Sequence, residues 1–186
     1  ESARAASLVL QQLPEERIND VLRAMAQALV THTDRILEAN HKDMESARDV
    51  VPDTMLDRLL LSKDRIEQMA EGVRQVSLLA SPVGSVLESI NRPNGLYIEK
   101  RAVPFGVIGI IFEARPNVTV DAGALCFKTA NATILRGGKE AFNTNQVIVS
   151  IMQDVLEEHD LPRLAIQLVE VLDREAVSVL LQQRRY

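Results

Sequence analysis

The chain has no tryptophan, one cysteine, and only two tyrosines and four phenylalanines in 186 residues. A single thiol, Cys126, excludes an internal disulfide and fits a reducing, cytoplasmic setting. With aromatic residues at 3% there are few platforms on which single-stranded bases could stack, and a formal net charge of -5 argues against a general nucleic-acid binder. No apolar run approaches the ~20 residues of a membrane span, and the opening ESARAASLVLQQLPEER lacks a signal-peptide pattern. Glu1 is not an initiator methionine, so the start shown is trimmed or is not the start of the gene. Histidines are scarce too. His32, His41 and His159 stand on separate helical stretches with no acidic or cysteine partners at ligand spacing, and no metal centre is expected.

What is present reads as α/β. Residues 1–81 form a helical N-terminal region: Pro14 stands at a first helical turn, and Ile18, Val21, Leu22, Met25 and Leu29 repeat on one face of the helix that follows. Further helices start at Thr33-Asp34, Pro52-Asp53 and Ser62. Residues 82–103 alternate in hydrophobicity around Asn91-Arg92-Pro93-Asn94-Gly95, the pattern of a β-hairpin. From residue 104 to 186 the order becomes β-α-β-α-β-α. Val107 to Phe112 has the length and branching of a strand buried on both faces, Thr119 to Thr129 is helical, and Ala132 to Leu135 is a second short strand. A helix from Glu140 to His159, a strand from Ile166 to Leu172 and a helix from Asp173 to Gln183 complete the series. A three-stranded parallel sheet of this kind has an exposed hydrophobic edge and looks cut short.

Such sheets bind ligands at the carboxyl ends of their strands, and the two loops there are polar. The first reads Glu113-Ala114-Arg115-Pro116-Asn117, the second Arg136-Gly137-Gly138-Lys139. Between Glu99 and Lys139 six cations face three anions, a local excess of positive charge in an acidic chain that suits an anionic ligand. Lys100 and Lys128 read as ordinary solvated side chains, whereas Arg136 and Lys139 flank two glycines that permit backbone approach to a phosphate. No G-x-G-x-x-G follows the first strand, so a nucleotide site must use another arrangement or be absent. Cys126, in the middle of a helical stretch, reads as a buried structural cysteine rather than a nucleophile. Asn117 has two readings, a cap or turn residue and an amide placed to donate to a developing oxyanion.

The blocks ARPNVTVDA and ILRGGKEAF, preceded by RPNGLYIEKRAV, resemble the gamma-glutamyl phosphate reductase family, the proline-biosynthesis branch of the aldehyde dehydrogenase superfamily. MLDRLLLSKDRIEQMAEGVRQV and LPRLAIQLVEVLDREAV are similar to the same family. The resemblance implies an aldehyde-dehydrogenase-like cofactor-binding domain and an NADPH-dependent reduction of L-glutamate 5-phosphate to the 5-semialdehyde with release of phosphate. In that family a cysteine attacks the acyl phosphate, and the resulting thioester is reduced by hydride from the nicotinamide. That cysteine belongs to a later catalytic domain absent from this chain, so the chain alone is expected to be inactive.

By motif position, Asn117 matches the oxyanion asparagine. Arg136, Gly137, Gly138 and Lys139 match the loop facing the adenosine ribose, with Glu113 and Ala114 between the two. A cation pair there favours the 2'-phosphate of NADP over NAD, and Arg115 is a candidate substrate contact. The 82–103 hairpin is similar to the superfamily's oligomerisation hairpin, which implies a homo-oligomer, and association with a glutamate 5-kinase stays open. Two other readings remain: a non-catalytic nucleotide-binding or oligomerising module, and another superfamily member acting on a different acyl phosphate or semialdehyde.

Overall fold

A computed structural model describes residues 1–173 and 175–183. Arg174 and residues 184–186, which fall in the expected 104–186 core, lie outside the described residues. Five helices come first: α1 (Ser2–Leu10), α2 (Glu15–Thr31), α3 (Thr33–Ala47), α4 (Asp53–Leu59) and α5 (Lys63–Leu78). An antiparallel hairpin of β1 (Val86–Asn91) and β2 (Tyr97–Arg101) follows. Then β3 (Val107–Ile111), α6 (Pro116–Lys128), β4 (Ala132–Arg136), α7 (Phe142–Glu158), β5 (Ile166–Leu168) and α8 (Glu175–Leu181) alternate. The sheet is parallel, in the order β3-β4-β5, with Ile111 beside Arg136 at the carboxyl end. Both loops named above therefore leave the same end of the sheet, as parallel pairing requires.

Burial differs along the sheet. The central strand β4 is covered, and Ala132, Thr133 and Leu135 are fully inaccessible. Val107 to Phe112, expected to be buried on both faces, is only partly buried within this chain: β3 borders its three-stranded sheet, and Ile111 is 44% exposed. Its apolar sequence reads like that of a central strand because periodicity reports side-chain character, not how many neighbours the strand has. The third strand is also shorter than expected, ending at Leu168. The helix expected from Glu140 opens instead as a 3-10 turn at Lys139–Ala141, with α7 proper beginning at Phe142. Helix α1 falls within the expected helical region 1–81, ahead of the first helix start named there, and its Ala3, Ala6 and Leu10 join the core.

That core is continuous between the helical region and the sheet. Leu22, Met25 and Leu29 of α2 share one apolar cluster with Ile66 and Val73 of α5, Phe127 of α6, Leu135 of β4 and Met152 of α7. The helical residues thus form one wall of the α/β unit rather than an appendage. By contrast the hairpin buries almost nothing, and Leu87, Leu96 and Tyr97 are all more than half exposed. Its turn closes with Gly95 N–H donating to the Arg92 carbonyl at 2.9 Å, and Gly95 has φ +84°, a left-handed conformation that side chains disfavour.

Two buried polar contacts fix the helices to the α/β unit. The Asp43 carboxylate of α3, 2% exposed, accepts from the backbone and side-chain amides of Asn143 (3.1 and 2.8 Å) and from the backbone and hydroxyl of Thr144 (2.7 and 2.6 Å). It caps α7 from another helix, where the sequence of α7 supplies no cap of its own. The second contact corrects an expectation: Lys128 is not solvated but 2% exposed, and its ammonium meets Glu15 at 2.9 Å and Asn19 at 2.6 Å. Burial of the stem in the α2/α6 interface, with the head paired, resolves what composition leaves open.

Asp43→Ala is expected to cost about 3 kcal/mol in denaturant unfolding, because four charge-assisted bonds go and the α7 amides are left without an acceptor. The pair at Glu15 predicts an acid-side effect. Its hydrogen bond to Lys128, followed by that from the Ser81 amide, holds the Glu15 pKa below the ordinary glutamate value. A lowered folded pKa stabilises fully above the unfolded value and is lost as pH falls through the folded one. Lys128→Met should therefore flatten the acid limb of the stability–pH curve, measured by melting temperature from neutral pH downward.

Candidate functional site

The two loops touch. A Cβ added to Gly138 would stand 2.9 Å from the Ala114 amide nitrogen and 2.9 Å from a Glu140 carboxylate oxygen, so only glycine permits this approach. Ala114, 2% exposed, and Ala141 rest on a small separate cluster with Ala47 and Leu59, packed by Met44, Val51, Met55 and Leu56. Helices α3 and α4 thus form the floor beneath both loops. Asn40 of α3 extends the same support, accepting from the Leu61 amide at 2.8 Å and donating to the Leu59 carbonyl at 2.9 Å.

Arg136 and Lys139 do different things. Arg136 is 8% exposed, and its guanidinium donates to the Leu172 carbonyl at 3.0 Å and to the Gly137 carbonyl, while its Nε is buried without a partner among the described residues. Arg136 therefore ties the loop to the segment after β5. Lys139 is exposed and stands as the open cation of the loop. Gly137 is buried under the Phe112 ring and the Asn145 side chain. On the first loop Glu113 is exposed, with Arg58 of α4 at 3.5 Å.

Asn117 belongs to a helix, not a turn: α6 begins at Pro116, three residues before the expected Thr119, because proline is preset for the first helical position. Arg115, the residue before proline, is extended (φ -130°, ψ 97°). Asn117 is exposed on the first turn, and its side-chain amide reaches the Asp121 carboxylate one turn on, at 3.4 Å. Arg115, Asn117 and Asp121 open onto a cleft of about 390 Å³ whose opposite wall is α4, α5 and their connection. The atoms around the Asp121 carboxyl raise its pKa by desolvation, against the lowering effect of Asn117, although the side chain remains exposed. Sequence reasoning missed Asp121; its spacing from Asn117 on one helix face was the available signal.

Cys126 is far from serving as a nucleophile. It is 5% exposed, and burial pushes its thiol pKa up. Among the described residues no three His, Cys, Asp or Glu side chains stand together as a metal site, and no helix is long and apolar enough to cross a membrane.

With this geometry in view, comparison with known proteins is direct. A protein of Clostridium novyi (strain NT) is 50% identical over 169 residues, covering 90% of this chain and 40% of that protein. It is named gamma-glutamyl phosphate reductase. The crystal structure of a gamma-glutamyl phosphate reductase from Thermotoga maritima superposes with a TM-score of 0.96 at 38% identity, over 100% of this chain and 45% of that one. Its relatives are gamma-glutamyl phosphate reductases. The likeness carried by ARPNVTVDA and ILRGGKEAF holds along the whole chain, which spans less than half the length of the relatives it matches. A probable aldehyde dehydrogenase from Listeria monocytogenes EGD-e, 14% identical with a TM-score of 0.73 over 98% of this chain and 38% of that one, shares the fold. No model of a known protein family matches the chain.

Gly138→Ala tests the contact between the loops. It is expected to cost about 1–3 kcal/mol from overpacking and to raise amide hydrogen exchange across residues 113–115, whereas a solvent-facing substitution at Glu113 should do neither.

Proposed function

We propose that the protein to which this chain belongs reduces L-glutamate 5-phosphate to L-glutamate 5-semialdehyde with NADPH, releasing phosphate, in the cytoplasm. Within it, this stretch holds the cofactor and part of the substrate. The observation that carries the reading is the contact of Ala114 with Gly138, which joins the two loops at the carboxyl ends of β3 and β4 and leaves Asn117 at the mouth of the cleft. The whole-length likeness to gamma-glutamyl phosphate reductases supports the substrate class.

The residues present fit a dinucleotide phosphate. Lys139 offers an exposed ammonium to an anionic ribose phosphate, and the Arg136 Nε, buried without a partner among the described residues, is a donor that a further acceptor would satisfy. Gly137 and Gly138 give the backbone, with Glu113 and Ala114 on the facing loop. The nicotinamide supplies the hydride when bound. Asn117 donates its amide to the acyl oxygen as negative charge develops there, and Arg115 holds the substrate's remote end. The nucleophilic thiol comes from outside this chain; Cys126, buried and with a raised pKa, does not replace it. The exposed apolar side chains of the hairpin support a homo-oligomer formed through it.

The full-length enzyme should reduce NADP+ with glutamate 5-semialdehyde only when phosphate is present; reduction independent of phosphate would overturn the acyl-phosphate reading. In that enzyme, Arg136→Ala with Lys139→Ala should weaken NADPH binding much more than NADH binding, whereas equal losses would remove the 2'-phosphate assignment. Lys139→Ala alone should retain most of that selectivity effect without the loss of stability that freeing the Leu172 carbonyl brings. Asn117→Ala should lower kcat by about 10²–10³-fold with little change in KM.

A further inference from the structure

We infer that the cleft beside Asn117 seats the amino-acid head of the substrate, with its α-carboxylate against Arg115 and its α-ammonium against Asp121. The inference rests on the proposed function above and deepens it, because that reading places Arg115 at the substrate's remote end without saying which charged group it meets or what meets the other.

The lining is amphoteric, and its charges divide into those already paired and those still open. Arg65 is committed to Asp57 at 2.8 Å and to the Leu60 carbonyl at 2.7 Å. Arg58, also on the lining, is paired with Glu113 at 3.5 Å. That leaves Arg115, whose Nε is buried without a partner among the described residues, and Asp121, whose side chain accepts the long bond from Asn117. One under-satisfied cation and one under-satisfied anion on one wall match a zwitterion. A second anion there would be repelled by Asp121, and an apolar tail would leave both groups unpaired at a desolvation cost.

The spacing agrees. Asp121 lies one helical turn, ~5.4 Å of rise, beyond Asn117 on the same face of α6. The three carbon–carbon bonds separating the δ-carbonyl from the α-carbon of a glutamyl chain, each about 1.5 Å, span a similar reach with the amino group added. A carbonyl held at Asn117 therefore puts its ammonium within reach of Asp121. Desolvation around the Asp121 carboxyl strengthens its pairing with a cation.

The test uses the full-length enzyme in the oxidising direction, in which the aldehyde hydride passes to NADP+, a phosphate oxygen bonds to the acyl carbon and one proton is released. Three aldehydes are compared: glutamate 5-semialdehyde, 5-oxopentanoate (no amino group) and pentanal (neither charged group). Asp121→Asn should lower kcat/KM for the semialdehyde by about 10–100-fold, and for 5-oxopentanoate by about threefold or less. Arg115→Gln should lower it about 10-fold or more for both carboxylate-bearing aldehydes, and least for pentanal. Because each comparison is made within one variant, a general loss of folded protein cancels. Equal losses across the three aldehydes, or none, would overturn the zwitterion assignment while wild-type activity on the semialdehyde leaves the proposed function standing. If the wild type shows no phosphate-dependent activity on the semialdehyde, the function and this inference fall together.

Discussion

The contact on which the site depends is a single buried carboxylate. Asp43, on a helix a hundred residues upstream in sequence, accepts the amides and hydroxyl that begin α7. A charge taken out of water is costly unless its hydrogen bonds are complete, and here four donors converge on two oxygens. The consequence is geometric. The loop Arg136-Gly137-Gly138-Lys139 ends where α7 begins, so fixing the start of α7 against α3 fixes the far end of that loop. The near end is held by β4, the most buried strand of the sheet. With both ends pinned, the loop has little freedom, and its glycines serve close approach to the facing loop rather than flexibility.

The helical region is therefore part of the site's machinery. Asn40 and Asp43 of α3, together with the Ala47–Leu59–Ala114–Ala141 cluster, carry the floor on which both loops rest. Helices α4 and α5 close the other side of the cleft that Arg115, Asn117 and Asp121 face. One layer positions the two loops from beneath, and the next walls the cleft. On the proposed reading the two ligands meet at Asn117, the first exposed residue of α6 beyond the strand end.

Much of the fold was legible because apolar period and breaker residues act locally. The α2 face, the Asn94-Gly95 hairpin and the order of strands after Pro104 all follow from neighbours in sequence. The neighbours of β3 were not legible. Val107 to Ile111 is as apolar as a central strand, and which strands lie beside it is set by chain far away in sequence. Lys128 was misread for the same reason: its partners Glu15 and Asn19 are more than a hundred residues earlier. Asn117 and Lys139 were legible as polar side chains at strand ends; Asp121 and Asp43, whose meaning comes from what they face across the fold, were not.

The local excess of positive charge divides in a way no count could show. Of the six cations between Glu99 and Lys139, Lys128 is buried against α2, Arg101 pairs with Glu99 at 2.6 Å, and Arg136 spends its donors on backbone carbonyls. Lys100 is exposed on the hairpin, away from the sheet. Arg115 and Lys139 remain, on opposite sides of the Ala114–Gly138 contact, one in the cleft and one on the open loop. The positive stretch is thus not one patch attracting one anion. It is two separated charges on either side of a backbone contact, an arrangement that on the proposed reading serves a phosphate-bearing cofactor and a carboxylate-bearing substrate brought to one carbonyl.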